Sequence, residues 1–183
     1  MERSKNLMHT KWFAALAMVA IFAGCNRGTP ESAPDRSEAT ETKADPTEFV
    51  LTDEPDGAND VIAARENSAD GEDVVVVGRI GGSVNPWIDG RAAFSIVDSS
   101  LQACSDIPGD ACPVPWDYCC ATDKLPTATA LVKFVDADGQ LVKSDARELL
   151  GLKELQTVVV RGKSQRDDSG NLTVLANGIF VRE

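Results

Sequence analysis

The chain has 183 residues, 18 Lys and Arg against 29 Asp and Glu, and a formal net charge of -11. Such acidity repels phosphate backbones, so general nucleic-acid binding is not expected. The single histidine, His9, sits near the start of the chain, which leaves nothing downstream for an imidazole ligand or a histidine-based nucleophile pair.

Residues 1–24 read as a lipoprotein signal peptide. Arg3, Lys5 and Lys11 make a basic start, and "WFAALAMVAIFAG" is an apolar run that ends in small residues. The run is short for a bilayer span, as secretory leaders are. It closes on "FAGC", which resembles a bacterial lipobox with Phe22 where Leu is usual. The resemblance implies that Cys25 is lipid-modified and that a membrane is the chain's first partner. Several acyl chains, each contributing roughly 0.8 kcal/mol per buried CH₂, anchor a protein stably. Cleavage before Cys25 would leave 15 Lys and Arg against 28 Asp and Glu, a formal charge of -13. Residues 25–55 are rich in Pro, Ser, Thr and acid, and are expected to form a disordered acidic linker. A coil of about 30 residues spans roughly 30 Å. Residues 56–183 have the length of one domain.

"NDVIAARENSADG" predicts a short helix, with Asn59 or Asp60 as cap and Val61, Ile62 and Ala64 on one face. "EDVVVVGRIGG" is a β-branched run, hence a strand buried on much of both sides and ended by Gly81 and Gly82. "SVNPWIDG" is a turn with Trp87 near its tip, and "RAAFSIVD" is a second strand. The cysteine-rich loop 99–127 follows. "ATALVKFVD" alternates as a third strand, and "DADG" turns the chain. "SDARELLGL" is a compact helix with Ser144 as N-cap and Gly151 at its C-terminal end. "QTVVVRGKSQRD" and "LTVLANGIFVR" are the fourth and fifth strands, with Gly178 bending the last.

Three strands, a helix and two strands make an order that resembles the OB-fold, a five-stranded Greek-key barrel. The fold class expected is therefore mostly β: an OB-like barrel, a short helix between strands three and four, and an additional N-terminal helix. Barrels of this kind often bind oligonucleotides or oligosaccharides on one face. Single-stranded nucleic acid needs a basic groove with aromatic platforms. Here Arg79, Arg91, Lys133, Arg161, Lys163 and Arg166 read instead as solvated strand positions. Periplasmic haem chaperones are also tethered OB-folds, but the histidine near their C-terminus has no counterpart in the closing "GIFVRE".

The chemistry concentrates in Cys104, Cys112, Cys119 and Cys120. An exported compartment permits disulfides, and four cysteines allow three full pairings. Adjacent cysteines strain a mutual bridge, and in extended chain they face opposite sides, so each of Cys119 and Cys120 could reach one of Cys104 and Cys112. Two such staples would close loops of about 8 to 16 residues, at about 2 to 4 kcal/mol each. The alternative is a metal. Four thiolates suit Zn²⁺, Cu⁺ or an iron–sulfur cluster, and Asp106, Asp110 or Asp117 could replace one of them. Gaps of seven, six and no residues do not make the usual pair of C-x₂₋₄-C knuckles. A dithiol redox enzyme needs a C-x-x-C pair at a helix N-terminus, and no helix signal follows "YCC".

The expected function is thus non-catalytic and cofactor-free: a binding or scaffolding module of the cell envelope with a stapled loop and an envelope partner of unstated identity. Its rival is a thiolate metal-binding or redox protein. Trp87, Trp116 and Tyr118 are the contact candidates, because aromatics on exposed loops serve as anchors. Asp136 with Asp138, and the acids of "DDSGN", read as turn residues.

Overall fold

The structure is a computed structural model in which residues 44–182 are described. The leader, Cys25 and most of the linker lie outside the described residues. Among the described residues no helix is long and apolar enough to cross a membrane.

The elements run β1 (Asn59–Asp60), α1 (Val61–Asn67), β2 (Asp73–Ile80), β3 (Ala93–Val97), α2 (Leu125–Ala128), β4 (Thr129–Phe134), α3 (Ala146–Leu150), β5 (Thr157–Arg166) and β6 (Leu172–Arg182). The sheet order is β1-β2-β3-β4-β6-β5, and β5 pairs back onto β2. That last pairing closes five strands into a barrel and leaves β1 as a short parallel addition to β2. Only β4 and β6 pair in parallel within the barrel. This is the OB-like Greek-key arrangement expected from the element order.

Each strand forms for a local reason. β2 is buried over Val76, Val77 and Gly78 in succession, as its unbroken β-branched run requires. Gly78 is squeezed there: a Cβ would lie 3.0 Å from the Val97 carbonyl oxygen. β4 alternates, with Ala130, Val132 and Phe134 inward. The bend of β6 is a β-bulge, since Arg161 faces Gly178 but Gly162 faces Ala176. Alternate inward residues give a main core of 22 buried side chains among the described residues, centred on Phe94 and Phe134. α3 adds Ala146 and Leu149 to it. Its N-cap is Asp145, not the expected Ser144; the Asp145 carboxylate accepts from the Arg147 N–H at 2.9 Å. Gly151 ends that helix at φ 67°, the left-handed conformation a glycine adopts without penalty.

Three local expectations are corrected. The ordered domain starts earlier than residue 56: Phe49 is buried edge-on against Phe134, and residue 50 bridges to Ile179 of β6. The apolar triplet "FVL" at the end of the acidic linker is the signal for it. α1 is not capped by Asn59 or Asp60 side chains. The Ile62 N–H is instead accepted at 2.7 Å by Asp98, a buried carboxylate at the end of β3. Arg166 is no solvated strand residue, because its guanidinium donates to the carbonyls of Ala64, Arg65 and Ser68 and closes the C-terminal end of α1.

Candidate metal centre

The loop between β3 and β4 folds through three tight 3₁₀ turns, Cys104–Asp106, Pro115–Asp117 and Cys119–Ala121. It is held to the barrel in three places. Tyr118 takes a left-handed conformation, φ 58°, between the second and third turns. That reversal drives its ring into a second, small core with Val97 and Ala103, flanked by Leu101, Leu125 and Leu155. The Trp116 carbonyl accepts from the Gly82 N–H at 2.8 Å, and the approach is so close that a Cβ on Gly81 would sit 2.5 Å from the Trp116 oxygen. Finally, Arg79 of β2 forms an ion pair with Asp106, and its Nε donates to the Leu155 carbonyl at 3.0 Å. The guanidinium holds the Asp106 carboxyl below its ordinary range.

These ties gather the four sulfurs. Cys104 Sγ lies 3.4 Å from Cys119 Sγ and 4.0 Å from Cys120 Sγ, and Cys112 Sγ lies 3.7 Å from Cys119 Sγ. No pair stands at the about 2.0 Å of a disulfide; all four are free thiols. The two expected staples are thus not formed, although the clustering they required is present. Two carboxylates join. Asp117 Oδ1 is 3.9 Å from Cys104 Sγ, and Asp110 Oδ2 is 3.4 Å from Cys120 Sγ. Backbone amides aim both acids: Asp117 accepts from the Cys119 N–H at 2.9 Å, and Asp110 from the Cys112 N–H at 2.7 Å.

Cys104 is buried, Cys112 half-buried, and Cys119 and Cys120 exposed. Burial alone would raise the Cys104 thiol, but hydrogen bonds from Cys119, Cys120 and Cys112 outweigh it and hold it below the ordinary range. Donating to Cys104 pushes Cys119 up, and donating to Asp110 pushes Cys120 up.

The edge of a tetrahedron with metal–sulfur bonds of about 2.3 Å is about 3.8 Å. The observed separations bracket it. Cys104, Cys112, Asp117 and Cys119 each offer a ligand atom within 4.8 Å of all the others, as do Cys104, Asp110 and Cys120. The sequence counted Asp110 and Asp117 among possible ligands. The third, Asp106, faces Arg79 instead.

The aromatic candidates divide. Trp87 is 4% exposed. Its ring meets Phe94 at a tilt of 57°, 5.5 Å between centroids, lies under the Arg147 guanidinium, and donates its indole N–H to Glu154 at 2.6 Å. Tyr118 is fully buried, burial pushes its phenol up to about 12, and its hydroxyl finds no hydrogen-bond partner. Both are packing residues, which corrects the expectation of exposed contacts. Trp116 stays half-buried, with its indole N–H on the Val84 carbonyl at 3.1 Å beside the exposed Val84 side chain.

An open groove of about 610 Å³ runs past Arg79, Leu101, Gln156 and Arg182. Its two arginines are engaged already, Arg79 by Asp106 and Arg182 by Glu54, so neither is offered to an anion. Asp136 and Asp167 each accept two backbone N–H bonds across their own turns, the role the sequence assigned them. The short helix α2 has no signal in the sequence read above; Pro126 stands in its first turn, where proline loses no hydrogen bond.

Fold and site together define a class: a small closed β-barrel that carries a cluster of thiols and carboxylates on one loop. No family model matches the chain, and a search of curated proteins returns no match.

Proposed function

We propose that this chain is a lipid-anchored protein of the cell envelope whose barrel carries a non-catalytic, thiolate-rich metal site. The observation that carries the metal is the sulfur geometry: contacts of 3.4 to 4.0 Å, near tetrahedral edges, with carboxylates aimed into the same space. Mixed sulfur and oxygen donors favour a borderline-soft ion such as Zn²⁺ over Cu⁺, which prefers sulfur alone. Cys104, Cys112, Asp117 and Cys119 would hold it. Bound, the ion orders a loop that has only a small core of its own, and it protects the thiols from oxidation. The anchor rests on the basic leader and the lipobox-like "FAGC" ending at Cys25.

The test is the intact mass of the full chain, purified without reductant, under native and then denaturing conditions with a thiol-alkylating reagent. A metal site gives added mass in the native spectrum and, after unfolding with chelator, alkylation of all four of Cys104, Cys112, Cys119 and Cys120. The second reading, a stapled loop, is favoured by the Cys104–Cys119 contact, the shortest in the cluster at 3.4 Å. It predicts no bound mass and at least two unlabelled sulfurs, and that outcome would overturn the metal. For the anchor, labelled fatty acid should enter the wild type and not Cys25→Ala.

A further inference from the structure

We infer that the loop is built for two metal ions joined through the Cys104 sulfur; the inference rests on the metal reading above and deepens it. The donors fall into two sets rather than one. Cys104, Cys112, Asp117 and Cys119 form the first, and Cys104, Asp110 and Cys120 the second, each mutually within 4.8 Å. Cys104 is the single member of both. It is also the single buried donor, so the shared sulfur lies innermost and the two positions open outward from it.

The adjacent cysteines fit this division. A single tetrahedral ion rarely takes two neighbouring residues as ligands, because their side chains diverge. Here Cys119 turns to Cys112 and Cys104, while Cys120 turns to Asp110 and Cys104. Each of the two carboxylates sits beside a different set, and each is fixed by a backbone N–H. A thiolate sulfur has lone pairs enough to bridge two ions. The charges are also consistent. Three thiolates and one carboxylate around one divalent ion leave a formal charge of -2. A second ion brings one further thiolate and one further carboxylate, and this addition is neutral.

The two positions differ in kind. The first has four protein donors and is closed, as structural sites are. The second has three donors, two of them exposed, and leaves a coordination position to water or an outside ligand. The second ion is therefore the one that exchanges.

The full chain is loaded with Zn²⁺ under reductant, dialysed, and its metal counted by elemental analysis and native mass. The expected result is two Zn²⁺ per chain, one removed by chelator at least tenfold faster than the other. Asp110→Asn and Cys120→Ser should each retain one ion, the slow one, and Cys104→Ser should weaken both. With ¹¹³Cd²⁺ in place of zinc, two resonances should appear, both coupled to the Cys104 β protons. One ion per chain, unaffected by Asp110→Asn and Cys120→Ser, would overturn the pair and leave the single-ion reading standing. Two ions whose number survives those substitutions would overturn the assignment of donors. No ion, with oxidised sulfurs, would overturn the metal reading itself.

Discussion

The barrel and its cysteine loop are stabilised by different means. The barrel's main core holds 22 buried residues, whereas the loop's core holds Val97, Ala103 and Tyr118 among the described residues. The barrel's backbone bonds follow ladders; the loop relies on one arginine, one glycine contact and four sulfurs. Burial is non-directional and tolerates small errors, but a cluster built from a few directed contacts does not. The loop should therefore fail separately from the barrel, and more abruptly.

Substitutions can test that separation. Phe94→Ala should have the largest effect. It removes a fully buried ring from the main core at a cost of about 3–5 kcal/mol, lowering the chain's melting temperature whether or not the loop is intact. Gly81→Ala comes next. The added methyl meets the Trp116 oxygen at 2.5 Å, a clash worth about 1–3 kcal/mol, and the loop should yield first. The measurement is the alkylation rate of buried Cys104, which should rise while the barrel's circular dichroism holds; a simultaneous loss of the barrel's signal would unite the two regions. Tyr118→Phe should act in the opposite direction. It deletes a buried hydroxyl that has no partner, so denaturant unfolding should show a gain of about 1 kcal/mol.

The smallest effect belongs to the Arg79–Asp106 pair, half-exposed and worth below about 1 kcal/mol. Because Arg79 lowers the Asp106 pKa beneath its ordinary 3.8, the contribution is complete above that pH and is lost as pH falls through the folded value. Stability measured from pH 5 to pH 2 should therefore drop less in Asp106→Asn than in the wild type.

What the sequence disclosed follows the same division. Strands such as β2 and β4 are legible because β-branched runs and alternation are properties of neighbouring residues. α3 was legible from its closing glycine, and its cap missed by one residue. The cap of α1 was not legible, since Asp98 lies 36 residues from the amide it accepts. The sequence also located the four thiols in one loop without showing how they meet. Gaps of seven, six and no residues argue against a metal when knuckles are the template. Successive 3₁₀ turns around a left-handed tyrosine bring the same residues together by another path. The burial of Trp87 and Tyr118 is not legible, because an aromatic in a turn looks the same in sequence whether it points outward or inward.

The contact at Gly81 means that the loop cannot be moved alone. Grafted onto a foreign barrel, residues 99–127 would bring their sulfurs and carboxylates but not the bare backbone on which Trp116 rests. A transplant that carries Gly81, Gly82 and Arg79 as well would have the hinge plate along with the door.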